Sequence, residues 1–201
     1  MVDFFVQGGG FMWPILIALL FGLAIIGERA YSLLNSSSDT DQFFDDVKTT
    51  FNDSGKGQAI ELCENTPGPV ASIFYAGLSK MGNKKEEIEK AVQNAGGLEM
   101  AFLEKNMIWI NSVITIAPML GFTGTVVGMI KAFEDIKMAN DISPAVVAGG
   151  ISQALLTTAF GLIVAMIMQV AQNFFVSMID KMILDMEEQS IKIVEYLHNT
   201  K

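Results

Sequence analysis

The chain has 201 residues, of which 51% are hydrophobic, and a mean hydropathy of +0.40, which is high for a fold dissolved in water. Its formal net charge of −9 argues against a nucleic-acid partner, which wants a basic face. No Ser/His/Asp set, metal-spaced cluster or phosphate-binding glycine loop occurs, so neither an enzyme nor a cofactor is expected.

The apolar residues are gathered into three runs. No charged side chain occurs over 4–27, 106–130 or 142–179. Each run exceeds the roughly 20 residues that cross about 30 Å of hydrocarbon, and each is read as a transmembrane helix in contact with lipid. A buried core helix would explain one such run. Three in a short chain leave too little sequence to cover them. The first run has no basic region before it and outlasts a signal peptide, so it is expected to be retained.

In chain order, residues 1–10 form an amino-terminal segment ending in Gly8-Gly9-Gly10. The first span, 11–33, opens with Trp13 at the depth of an aromatic belt and Pro14 in the first turn. Glu28-Arg29 marks its inner boundary, so Trp13 and Arg29 are expected to be boundary anchors. Segment 34–105 is predicted to be helical. Ser36-Ser37-Ser38-Asp39 is a turn that can cap a helix from Thr40 to about Phe51, a short helix covers about Gly57 to Glu64, and another follows Pro69 over Val70 to Met81. Asn83 with Glu86 resembles a cap, and from there the pattern predicts helix through to Pro118, with the second span at 106–133. A short turn at 134–143 leads through Ser143-Pro144 to the third span, 144–178. The tail, 179–201, places Ile179, Ile183, Met186, Ile193 and Leu197 near one face. That face suits either this chain's own helices or a foreign protein.

Orientation follows Lys and Arg. Eight of them, from Arg29 to Lys105, lie between the first two spans, and Lys181, Lys192 and Lys201 follow the third. Segment 34–105 and the tail are therefore expected in the cytoplasm, with the amino terminus and the 134–143 turn outside. Cys63 has no partner for a disulfide and is read as structural, and His198 as solvated.

Within the spans, Ser152-Gln153 and Thr157-Thr158 interrupt the apolar run "SQALLTTAFGLIVAM". At 100° per residue, Ala154, Leu162, Ala165, Gln169 and Gln172 lie within about 40° of Thr158, whereas Thr157 is about 100° away and is read as bonding within or between helices. In the second span Asn111, Pro118, Gly121 and Met129 collect around Thr125. Two readings remain open. In one, threonines bond to carbonyls a turn back, and Gly121, Gly124, Gly128 and Gly161 let helices approach. In the other, Thr125, Thr158, Asn111, Ala165, Gln169 and Gln172 line an ion pathway. No carboxylate or lysine lies near the centre of either span, so a proton-carrying group would have to come from another chain.

The stretches "APMLGFTGTVVGMIKAF" (117–133) and "GGISQALLTTAFGLIVA" (149–165) closely resemble the MotA/TolQ/ExbB proton-channel family, in its ExbB/TolQ branch. The opening "GGGFMWPILIALLFGLAIIGERAYSL" is similar to that family's first span. The resemblance implies an all-α bacterial inner-membrane protein with three spans, helices 2 and 3 extending into the cytoplasm beside short helices. It also implies a homopentameric ring around a dimer of a single-span ExbD/TolR-like partner carrying the ion-binding aspartate. By position Thr125 and Thr158 correspond to the family's pore threonines, which face that aspartate. The implied work is the coupling of proton-motive force, with sodium as the other ion, to a TonB-like or TolA-like protein. Two residues depart from the branch's pattern: Gln153 where relatives often have glutamate, and Ile167 in place of a proline. A non-conducting scaffold ring and a flagellar-stator-like subunit are the alternatives, the latter usually having four spans.

Overall fold

A computed structural model of the chain describes residues 2–36, 39–139 and 144–199. Among these, every regular element is a helix: α1 (Val2–Gln7), α2 (Met12–Ser36), α3 (Thr40–Ser54), α4 (Lys56–Asn65), α5 (Pro69–Ser79), α6 (Lys85–Leu103), α7 (Met107–Ala139) and α8 (Pro144–Asn199). Three stretches, in α2, α6–α7 and α8, are long and apolar enough to cross a membrane. The chain divides into two compact units: Met1–Glu28 with Asn106–Phe174, and Arg29–Lys105 with Phe175–Lys201.

In the first unit α2, α7 and α8 associate side by side. Gly22 of α2 admits Met168 of α8 and Val113 of α7, where a Cβ would lie 2.5 Å from the Met168 sulfur. Phe21 and Trp109 meet edge to face at 6.2 Å, and Asn106 Nδ2 donates to Glu28 Oε2 at 3.3 Å. The amino-terminal segment begins with the short α1. Phe5 of α1 packs edge-on to Trp13 at 5.3 Å, and Trp13 remains 61% exposed. Gly9 turns the chain between α1 and α2 with φ +72°, and a side chain there would overlap the Gln153 carboxamide.

The second unit is a small helical core. Phe43 stacks on Phe74 at 5.6 Å, and Ile73, Phe74, Leu78, Ile88, Ile193 and Leu197 are fully buried. The tail half of α8 covers this unit's own helices: Gly77 of α5 lies against Leu197 and Ile193, and Tyr196 donates to Asn52 at 3.1 Å. Asp41 accepts from Lys192 Nζ and Gln189 Nε2, both at 2.7 Å. Those bonds, the lysine's first, hold the Asp41 carboxyl below its usual range, and Asp41 followed by Glu188 raises the Lys192 ammonium. Being exposed, this pair contributes alignment more than stability.

Cys63 is buried, and burial pushes its thiol up to about 12. At pH 8 the folded chain should therefore react with a maleimide at least about a hundredfold more slowly than a free thiol. Denaturant should restore the ordinary rate; labelling of the folded protein at the free-thiol rate would contradict the buried placement.

Several boundaries differ from the sequence reading. Of the turn read as a cap, Asp39 caps α3, accepting from the Gln42 amide at 3.2 Å, and α3 runs on to Ser54 and stops at Gly55, whose φ of +84° disfavours a side chain. Pro69, read as preceding α5, is its first residue. Asn83 caps nothing: Lys84 holds the cap position of α6, and the Asn83 amide donates to Glu87 instead. The helix expected to be continuous from Asn83 to Pro118 is two helices. At the break the Glu104 and Lys105 amides fold back onto Met100 and Phe102 carbonyls, and Asn106 adopts φ +65°. Asparagine tolerates that left-handed turn, so neither Gly nor Pro was needed to end the helix. The second span therefore does not continue as one helix into the preceding segment. Residues 134–139, read as turn, complete α7; 140–143, with Ser143, and Ser37 and Ser38 lie outside the described residues.

Candidate ion-pathway site

The site is built where α7 and α8 cross, and small residues make the crossing possible. On α7 Ala117, Gly121, Gly124, Gly128 and Ala132 recur at intervals of three and four; on α8 Gly150, Ala154, Thr157 and Gly161 do the same. All are buried. The two stripes meet antiparallel. A Cβ at Gly121 would lie 2.8 Å from the Thr157 carbonyl oxygen and 3.0 Å from the Thr158 Cα. One at Gly128 would stand 3.1 Å from the Gly150 carbonyl, and one at Gly161 3.2 Å from the Gly121 Cα. Such backbone approach is the means by which apolar helices associate in lipid, where no hydrophobic force draws them together.

Two hydroxyls face each other across this seam. Thr125 Oγ1 of α7 and Thr158 Oγ1 of α8 are in hydrogen-bond contact, both side chains half-buried. Thr125 Oγ1 also lies 2.9 Å from the Ala154 carbonyl oxygen and 3.3 Å from that of Gly121; Thr158 Oγ1 lies 3.2 Å from the Gly121 carbonyl. Each hydroxyl has one proton to donate and two lone pairs. With Thr125 donating to Ala154, the close oxygen pair needs the Thr158 proton between them. Thr158 then retains unused lone pairs, which can accept a proton donor or coordinate a cation.

Thr157 behaves differently. It is fully buried, and its hydroxyl donates to the Ala154 carbonyl of its own helix at 2.8 Å, so it serves packing as its angular position predicts.

The structure brings Thr125, Thr158, Gly121, Gly124, Gly128 and Gly161 together and leaves other candidates apart. Pro118 lies half-buried within α7, which runs through it unbroken. Asn111 is exposed, and its carbonyl accepts from Thr115 at 3.0 Å. Ala165 is half-buried; Gln169 is exposed and donates to Asn173 at 2.9 Å. Gln172 is half-buried, with its Oε1 lacking a hydrogen-bond partner within the described chain. Arg29, read as a boundary anchor, is 1% exposed, and its Nη1 donates to the Phe102 carbonyl at 3.5 Å. The seam also uses Ala117, Ala132, Gly150 and Ala154, which the sequence reading did not assign to packing. Their repeat at i, i+3 and i+4 on both helices is the signal that identifies them.

Residues 65–188 match the MotA/TolQ/ExbB proton channel family, a family of channels rather than enzymes. The chain is 29% identical over 188 residues to a putative biopolymer transport protein, ExbB-like 3, from Synechocystis sp., covering 92% of this chain and 90% of that protein. It is 28% identical over 180 residues to a putative ExbB homolog from Methanothermobacter thermautotrophicus, covering 89% of this chain but 64% of that longer protein. A Tol-Pal system protein TolQ from Pseudomonas aeruginosa is 28% identical over 117 residues, 53% of this chain and 51% of the relative. With three apolar helices and the family match spanning its threonine seam, the chain belongs to the ExbB/TolQ branch of the MotA/TolQ/ExbB proton channel family and is a membrane protein.

Proposed function

We propose that this chain is the ring-forming ion-channel subunit of an ExbB/TolQ-type motor in the bacterial inner membrane. The observation that carries the reading is the Thr125–Thr158 hydroxyl pair, set in two spans that hold no ionisable residue near their centres. A hydroxyl neither stores a proton at neutral pH nor drives transport alone; it orients a proton or cation carried by a carboxylate. That carboxylate belongs to a second polypeptide, a single-span ExbD/TolR-like protein present as a dimer inside a homopentamer of this chain. Ions crossing down their gradient, protons in the first instance and sodium as the alternative, engage the partner's aspartate as it passes successive threonine pairs. The motion is passed to a TonB-like or TolA-like protein for outer-membrane transport or envelope maintenance. The Lys and Arg distribution supports an amino terminus outside and a carboxy terminus in the cytoplasm.

Native mass spectrometry of the complex, taken from its own membranes in mild detergent with the co-purifying chains sequenced, tests this assignment. The expected species is five copies of this chain with two of a small protein bearing one apolar span and a membrane aspartate. A ring without such a partner under several detergents would favour a scaffold and leave the threonines to packing.

A further inference from the structure

Away from the threonines, the tail half of α8 lies antiparallel to α6, and a groove stays open between them. It consists of two adjoining clefts of about 320 and 460 Å³ that share Val92, Gln93, Ser190 and Ile191. Together they extend from Lys85 to Met100 along α6, about 22 Å at 1.5 Å per residue. The floor is apolar and roomy: a Cβ on Gly96 would approach nothing closer than 3.9 Å, at Ile73 and Met186. Ile191 stands 69% exposed at the lip, an apolar side chain with no cover in this unit. The lining carries three carboxylates, Glu89, Glu187 and Glu195, against one lysine, Lys85.

We infer that this groove is the docking site for a basic amphipathic helix of another polypeptide. The length suits about four helical turns, the apolar floor takes one face, and the three glutamates meet Lys or Arg flanking that face. Methionine at two lining positions, Met100 and Met186, adapts to side chains of varied shape. A second copy of this chain fits poorly. In α3, α6 and the α8 tail alike, carboxylates outnumber lysines, so each would bring like charge to the rim. The inference does not depend on the ion pathway, and its failure would leave that reading untouched.

The test uses the full chain in nanodiscs of zwitterionic lipid and a fluorescein-labelled amphipathic peptide of Leu and Lys, about 18 residues or five turns long. A Leu/Glu peptide of the same pattern and empty discs serve as references. Anisotropy should show the basic peptide binding at least tenfold more tightly to protein-bearing than to empty discs, with no such gain for the acidic peptide. Glu187→Lys with Glu195→Lys should weaken binding at least tenfold, and so should Gly96→Leu, which fills the floor without changing charge. Should Gly96→Leu fail to fold, the exposed charge pair decides. Equal gains for both peptides, no gain for either, or an unchanged affinity in the charge-reversed protein would overturn the inference. So would a photo-crosslink between two copies from a benzophenone maleimide attached at Ile191→Cys, which would place this chain itself in the groove.

Discussion

Gly121→Leu is expected to leave little folded protein in the membrane. The first side-chain carbon alone would stand 2.8 Å from the Thr157 carbonyl oxygen and 3.0 Å from the Thr158 Cα. Both are backbone atoms, so no rotamer change relieves the overlap and α8 itself has to move. Overpacking of this kind costs about 1–3 kcal/mol where side chains can yield, and more where they cannot. It would also part the Thr125 and Thr158 hydroxyls. Fluorescence-detected size-exclusion chromatography of a tagged chain should show the monodisperse peak reduced at least about tenfold, the equivalent of about 1.4 kcal/mol. Gly149→Leu, where nothing lies within 4 Å of a Cβ, is the control for protomer folding and should retain the peak. An intact peak from Gly121→Leu would refute the close α7–α8 seam.

Thr158→Val should have the opposite profile, with assembly kept and work lost. Valine preserves the branched shape and removes only the hydroxyl. Interhelical hydrogen bonds in membrane proteins are worth about 0.6 kcal/mol on average, too little to dissolve a seam of eight or so small residues. If the hydroxyl guides the ion, energy-dependent outer-membrane uptake or envelope integrity should fall at least about tenfold, as a barrier raised by about 1.4 kcal/mol would produce. Thr157→Val, at a fully buried hydroxyl that bonds within its own helix, should keep most activity. Full activity in Thr158→Val, or equal loss in both variants, would remove the distinction between the two threonines.

The three apolar runs were legible because they reflect one demand, the length of charge-free helix that spans hydrocarbon. Thr125 and Thr158 were legible as a pair through helical angles and the family's pattern, and Thr157 as a packing residue by the same angles. What the sequence concealed was local. Asn106 ends a helix by a left-handed turn that glycine usually signals, and in "LEKNMIW" the asparagine is its one weak mark. Arg29 reads as the charge that ends the first span, and the burial of its guanidinium beside the Phe102 carbonyl is hidden in the sequence, because that partner lies far along the chain. The amphipathic tail left two readings open, and Leu197 and Ile193 against Gly77 resolve its buried face in favour of this chain's own helices. The α6–α8 groove was not visible at all, since it depends on which faces of two distant helices are left uncovered.

If the threonine pair serves ion passage, its hydroxyls should control proton flux. The purified complex with the proposed single-span partner would be placed in liposomes holding a pH-sensitive dye, and proton entry followed under an imposed gradient. Entry should need both chains and should fall to the level of empty liposomes when Thr125→Val and Thr158→Val are combined in a complex of unchanged mass. Undiminished entry through that double variant would contradict a role for the pair in ion passage.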